Sequence, residues 1–522
     1  MVVADMNTTS LPLSTSFFLR KWTRKCTKNL ISAPNFLVFS YLDFIDSVFC
    51  VVYRYLDLLL EGEASPCYCR SKNKSETIND DEENGISETL HGRQKKLKEM
   101  IDLIEFVEKL LNRNKGFEAG YGDFNYRKKV GIHRLGNRWS DCGCDSCISW
   151  MKVDDPKLHV VVKEASSNAM GEDSKENTKT NSSENVIFIH GILSSSSFWT
   201  KTLFPKMSES GKADNYNMFA VDLLGHGRSP KPRDNLYTLR DHVEWIEKSV
   251  VSQFGLNSFH LIAHSMGSII ALALAAKHSK SVKSITLVAP PYFPSKDGVE
   301  FTVINSLTPK RLWPPEAFLS SVMTWYEHLS RSVCFILCRN HRTWESLVKR
   351  VTGARDVNFM FLDMIKITHH SGWHTAHNVL YRGVKQMDKN LEILMKLRKK
   401  VHVFMGTRDR SVPPDGGDKM KNKFPQVEVN NIPDAGHRSV LFNREDVLAH
   451  DLFQIWNNST SSSILNGIVN WKNLSRKRKK VGIHRLGNRW SDYGCDSCIS
   501  WMKVDDSKLH VEMQVDVPSF ML

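Results

Sequence analysis

One serine stands between an apolar run and a helix-like stretch in "HLIAHSMGSIIALALAA", residues 260–276, within Ala263-His264-Ser265-Met266-Gly267. A serine hydroxyl is inert at its ordinary pKa and becomes a nucleophile only beside a base. Further along, "GTRDRSVPP" places Asp409 and "DAGHRSV" places His437, each just after a β-like run. In that order the three residues can perform acyl transfer. His437 would take the Ser265 proton, and Asp409 would fix the imidazole tautomer and stabilise its cation. Asp434 is a rival acid, but it sits too close to His437 in the chain. Upstream, "HGILSSSSFW" opens on His190-Gly191. A turn there would aim the Ile192 backbone N–H at the same point as that of Met266, and two such donors make an oxyanion hole.

These residues need strand ends to hold them. Apolar, β-rich runs occur at "KLHVVVKE", "NVIFIHG", "MFAVDLLGHG", "FHLIAHSMG", "VKSITLVAPP", "KVHVFMGTRD" and "VEVNNIPDAGH", with helical patterns between several of them. That alternation predicts a mostly parallel sheet flanked by helices. "DLLGHGRSP", Asp222 to Pro230, reads as a structural Gly-rich turn after a strand. The aromatic, helix-like stretch 290–386 interrupts the alternation and predicts a helical lid.

A strand, a tight turn carrying serine, and a helix form the nucleophile elbow of α/β-hydrolases, usually G-x-S-x-G. Here Ala263 replaces the first glycine, a change of one methyl group. The order Ser, Asp, His is also the order of that superfamily. The region from about His159 to Asn457 therefore resembles an α/β-hydrolase. More narrowly, "GNRWSDCGCDSCISWM", "HGILSSSSFWT", "LLGHGRSPKP" and the basic-then-apolar N-terminus resemble the plant BODYGUARD family. The resemblance implies a lysophospholipase-like hydrolase at or outside the cell surface, acting in cuticle formation. A serine esterase acting on lysophospholipid, monoacylglycerol or cutin-type esters is the expected function. A receptor or scaffold of this fold with little turnover, and an extracellular acyltransferase that polymerises cutin, are the alternatives.

Other clusters have structural readings. Cys142-x-Cys144-x₂-Cys147 has metal-ligand spacing, but zinc sites usually draw on two separated pairs. A disulfide or free thiols are expected, with no metal and no cofactor. His369, His370, His374 and His377 lie in "THHSGWHTAH", which lacks the HExxH glutamate, so a helix of the lid is expected there. Trp313, Phe318, Trp325, Tyr326, Phe335, Phe359, Phe361 and Trp373 would mostly form the core of that lid.

The chain has 522 residues, a net charge of +14 and 41% hydrophobic residues. The basic residues cluster at the two ends with no nucleic-acid module beside them, so acidic lipid or wall polymer is the expected partner and nucleic acid is not. Arg20, Lys21, Arg24, Lys25 and Lys28 precede an apolar run, Leu30 to Leu60. Asp43, Asp46, Cys50, Arg54 and Asp57 fall on one helical stripe of that run, which predicts a wide apolar face beside a narrow polar one. Charges at the centre of a spanning helix cost about 3 kcal/mol each, which argues against a simple span. A membrane anchor, a surface helix or a signal segment is expected over 1–61. A polar linker with one helix-like stretch, 97–111, follows over 62–127, then the hydrolase domain over 128–457. In the tail, 458–522, the segment 478–511 repeats 127–160 with Tyr493 for Cys142 and Ser507 for Pro156. Sequons at Asn7, Asn73, Asn181, Asn457, Asn458 and Asn473 permit glycosylation of an exported chain.

Overall fold

β4, Phe259–His264, runs through the middle of a seven-stranded sheet with every one of its side chains buried. Burial on both faces is what a continuous apolar run such as "FHLIAH" requires. The computed structural model describes residues 13–62, 138–166, 183–296 and 298–460, with the side chains of 13–33 and 459–460 left aside. The linker, its helix-like stretch 97–111, Asn181 with most of its loop, and the tail with the second repeat lie outside the described residues, as do the sequons at Asn7, Asn73 and Asn473.

The strands are β1 Val160–Lys163, β2 Glu184–Ile189, β3 Tyr216–Val221, β4, β5 Val282–Val288, β6 Lys400–Gly406 and β7 Glu428–Ile432. Their order is β1-β3-β2-β4-β5-β6-β7. Only β1 is antiparallel, against β3; the remaining pairs are parallel. The expected mostly parallel sheet is therefore present. On one face, Phe188, Trp199, Phe204, Tyr216, Phe453 and Trp456 form an aromatic core under the helices Leu203–Glu209 and Glu445–Thr460. On the other, the helix Gly267–Lys277 packs against Val384–Lys396. Each large aromatic buried there contributes about 2–3 kcal/mol.

Parallel strands place their C-terminal ends, and the loops that follow, along one edge of the sheet. The turns after β2, β4, β6 and β7 carry Ile192, Ser265, Asp409 and His437 in that way. Between β5 and β6 the chain is helical, from Val299–Leu307 to Val384–Lys396.

The described residues divide into two compact units. The sheet and its flanking helices form one. The other combines the helix Leu13–Glu61 with residues 304–333. Within this second unit the polar stripe of the long helix faces inward. Asp46 is fully buried and accepts the backbone N–H groups of His328 and Leu329, both at 2.9 Å. Asp57 forms a bidentate pair with Arg331 at 2.8 and 2.7 Å. Arg331 also stacks over the Tyr53 ring, and the Tyr53 hydroxyl meets Ser332 at 2.8 Å. Phe36, Tyr41, Phe44, Tyr55 and Leu59 are exposed. The helix thus buries Asp46 and Asp57 and presents apolar side chains, the reverse of an ordinary surface helix.

Candidate active site

Ser265 has φ 52°, a left-handed conformation that a residue with a side chain adopts only when its surroundings impose it. The Ser265 N–H donates to Val288 O at 2.8 Å, which fixes the turn against β5. Gly267 makes the next step possible. A Cβ there would lie 2.5 Å from the carbonyl oxygen of His190 and 2.9 Å from that of Ile189. Strand and helix backbones approach too closely for any side chain. This explains "SMG" at the elbow.

The three residues singled out in the sequence meet. His437 Nε2 lies 3.0 Å from Ser265 Oγ, and His437 Nδ1 lies 2.8 Å from Asp409 Oδ2. Asp409 Oδ1 accepts the N–H groups of Ser411 at 2.8 Å and Val412 at 3.0 Å, so the carboxylate is held from behind. Asp434 is instead exposed, paired with Arg408 at 2.9 Å. All three residues of the hydrogen-bonded chain are buried, and Ser265 is 3% exposed. Water exclusion strengthens each of these interactions.

The His190–Ile192 turn lies against the serine. A Cβ on Gly191 would come within 3.0 Å of Ser265 Cβ and 3.1 Å of His264 Nδ1. Met266 is the N-cap of the following helix and is fully buried. His190 fixes the turn: its Nδ1 meets Gly191 O at 2.7 Å, and its Nε2 accepts Leu223 N–H at 3.0 Å. This pattern is that of a neutral imidazole donating through Nδ1, and burial pushes its pKa down accordingly.

Asp222 ties the same loop to the Gly-rich turn. Its carboxylate accepts Ser196 N–H at 2.6 Å and Arg228 N–H at 2.8 Å, and it meets His159 Nδ1 at 3.0 Å. Burial alone would raise its pKa, but the His159 contact, the nearby His190 and the two backbone donors hold it below the usual carboxylate range. A Cβ on Gly227 would fall 2.3 Å from Asp222 Oδ2. The structural reading of "DLLGHGRSP" rests on this carboxylate.

Sequence reasoning passed over three contributors. His264 precedes the serine; its ring stacks on Phe198 and reaches His437 O at 3.3 Å. Ser195 donates to Asp363 Oδ2 at 2.7 Å, and burial pushes the Asp363 carboxyl up to about 6. The third is His341, whose Nε2 lies 3.8 Å from Cys144 Sγ. Cys142, Cys144, Cys147 and His341 bring four ligand atoms within 4.8 Å of one another. Expecting a disulfide or thiols without a metal rested on three sulfurs; the fold supplies a fourth donor. Cys50, Cys142, Cys144, Cys147, Cys334 and Cys338 are free thiols among the described residues.

The histidine run is structural. His370 Nε2 meets Asn235 O at 2.8 Å and Ser371 Oγ donates to Gly225 O at 2.9 Å, so this helix clamps the Gly-rich turn. Burial holds His370 and His374 well below the ordinary histidine range. Of the aromatics expected in the lid core, Tyr326 and Trp373 are buried while Trp313 is 78% exposed.

Comparison with known proteins places the sheet and its flanking helices in a known fold family. Residues 184–443 match the family model described as the alpha/beta hydrolase fold. The chain is 46% identical over 437 residues to "Probable lysophospholipase BODYGUARD 4" of Arabidopsis thaliana, across 83% of this chain and 98% of that protein. It is 43% identical to "Probable lysophospholipase BODYGUARD 5" of the same plant, over 83% and 97% of the two chains. To "Probable lysophospholipase BODYGUARD 1" it is 36% identical, over 84% and 98%.

Proposed function

Because the chain belongs to the BODYGUARD family of α/β-hydrolases, we propose that it is a serine ester hydrolase that cleaves acyl esters through Ser265, His437 and Asp409. The observation that carries this reading is the unbroken hydrogen-bonded line from Asp409 through His437 to Ser265, with contacts of 2.8 and 3.0 Å.

Ser265 Oγ attacks the ester carbonyl carbon while His437 Nε2 takes the hydroxyl proton. The carbonyl oxygen becomes an oxyanion that accepts the N–H groups of Ile192 and Met266. The tetrahedral intermediate collapses, the alcohol leaves with the proton from His437, and the acyl group remains on Ser265. Water, deprotonated by His437, then releases the fatty acid and restores the serine. Asp409 keeps Nδ1 protonated throughout. A nucleophilic aspartate at the elbow would instead support epoxide or haloalkane chemistry, so the serine separates these reactions.

The substrate class we assign is a single-chain acyl ester: lysophospholipid, monoacylglycerol or a cutin-type ester, in formation of the plant cuticle. The helical stretch 290–386 serves as the lid of a hydrolase domain over 128–457 and supplies aromatic surface for an acyl chain. Transfer to an alcohol in place of water is the second reading, favoured by the burial of Ser265. Wild type should release fatty acid from lysophosphatidylcholine and monoacylglycerol, and Ser265→Ala should not. Equal rates in the two proteins would end the proposal, and an acylated alcohol as main product would select transfer.

We assign the enzyme to the outer side of the plasma membrane or the wall. Pro34–Glu61 is long and apolar enough to cross a membrane. With Asp46 and Asp57 turned inward and apolar side chains outward, the helix is suited to lie in a lipid surface. Asn457 and Asn458, at the end of the last described helix, are exposed asparagines within sequons. Glycosidase treatment of wild type and Asn181→Gln tests the location. A chain without glycan at any sequon, together with protease resistance on intact cells, would place the domain in the cytosol.

A further inference from the structure

Three thiols and one imidazole converge at a place that the proposed hydrolysis does not use. Cys142 lies just ahead of the short helix Asp145–Ile148, Cys144 caps that helix, and Cys147 belongs to it. His341 starts the helix His341–Thr352 and is 2% exposed. It lies 197 residues from Cys144 in sequence, yet their ligand atoms are 3.8 Å apart. Four donors within 4.8 Å of one another surround a single point. In a tetrahedral zinc site with Zn–S of about 2.3 Å, neighbouring sulfurs lie about 3.8 Å apart. The observed set needs only a small contraction.

The surroundings are those of a metal ligand shell. His341 Nδ1 meets Cys338 O at 3.1 Å. A proton on Nδ1 donated to that carbonyl leaves the Nε2 lone pair facing the sulfurs, the usual support for a ligating histidine. The Cys144 N–H donates to Cys142 Sγ at 3.4 Å, a contact that favours thiolate. Zinc with three thiolates and a neutral imidazole carries one net negative charge. Lys231 lines the same cavity as Cys142 and Cys147 and is itself buried, its ammonium held by the carbonyls of Gly227 at 2.6 Å and Ser229 at 3.2 Å. It supplies the compensating charge. A disulfide would use two of the three sulfurs and give the oriented imidazole no part.

We propose that Cys142, Cys144, Cys147 and His341 form a closed Cys₃His site for a structural divalent zinc ion. Four protein ligands leave no open position for a substrate, so the ion holds rather than reacts. It fastens residues 142–152, just ahead of β1, to the helix His341–Thr352. Binding displaces the protons of the three thiols to solvent, so occupancy falls in acid. The second copy of the repeat has Tyr493 where the first has Cys142 and offers only Cys495 and Cys498. Two thiols do not make a closed site.

The test uses the untagged full chain, reduced, with one equivalent of Co²⁺ as the probe and zinc as competitor. The expected spectrum has intense tetrahedral ligand-field bands with thiolate-to-cobalt charge transfer, and zinc abolishes it. His341→Ala and Cys144→Ser should each lose at least about tenfold in affinity, since one ligand of four is removed. Ser265→Ala should bind as wild type does, which separates this site from the hydrolase reading. Wild type alone decides if a variant does not fold. A weak octahedral spectrum, or a mass two hydrogens short that shows a disulfide resistant to reduction, overturns the proposal. Full affinity in folded His341→Ala overturns it as well.

Discussion

His264 Nε2 lies 3.3 Å from the backbone oxygen of His437, so the residue just before the elbow serine steadies the segment that carries the serine's imidazole partner. The two rings are 4.9 Å apart. Burial, and then the neighbouring His437, hold the His264 pKa well below the ordinary range, so it stays neutral and donates through Nε2. His264→Ala should lower kcat by about 10- to 100-fold through misplacement of the base, with little change in KM. Because His264 does not change charge in the assay range, the acid limb of the rate profile should keep its position. A pH series on a chromogenic short-chain ester measures both. A displaced acid limb would show that His264 itself titrates in the reaction.

Asp409→Asn keeps the shape of the acid but removes its charge. His437 would lose the partner that sets its tautomer, and turnover should fall about 10⁴-fold, as in serine proteases. Circular dichroism should show an intact fold. Turnover within tenfold of wild type would move the role to Asp434, the acid that stands exposed beside Arg408.

Asp451, on the helix Glu445–Thr460, has a buried Oδ1 with no hydrogen-bond partner, and burial pushes its pKa up to about 7. An unfolded aspartate titrates near about 3.9. The folded state therefore holds the proton more tightly, and this group's contribution is full below the unfolded value. It is lost as pH rises through the window that ends near the folded value. Asp451→Asn should raise stability at pH 8 by about 1–3 kcal/mol and flatten the fall between the two values. Thermal unfolding at acid and alkaline pH reads this directly. Equal pH dependence in the two proteins would show that the carboxyl is solvated.

The long N-terminal helix yields a fourth outcome. Phe44 and Leu59 are 50% and 66% exposed on its outward face. Replacing both by glutamate should weaken binding to anionic vesicles by about tenfold or more, since burial of each side chain contributes about 1.5–3 kcal/mol. Esterase activity on a soluble ester should persist. Vesicle flotation separates these readouts, and undiminished flotation would assign the membrane contact elsewhere.

The meeting of Ser265, Asp409 and His437 was legible because each follows a β-like run in chain order, and a parallel sheet brings such ends together. Gly267 was legible only as the last glycine of the G-x-S-x-G pattern; the backbone approach that demands it appears in the structure. What could not be read were partners brought in from distant elements. Asp363 reaches Ser195 across 168 residues, and no local pattern announces it. His341 likewise carries no signal until the helix it begins is placed beside the cysteines. For the stripe Asp43 to Asp57, periodicity gave the helix and its two faces. It could not say which face would be covered, because that depended on Arg331 and the backbone of His328 and Leu329.

If Ser265 is the proposed nucleophile, activated by His437, it reacts with an electrophile that seeks such serines. Reaction of the full chain with a fluorophosphonate, followed by intact mass and peptide mapping, tests this most directly. One adduct per chain is expected, on Ser265, formed slowly in Asp409→Asn and absent in Ser265→Ala. Labelling of wild type no greater than that of Ser265→Ala would contradict the proposal.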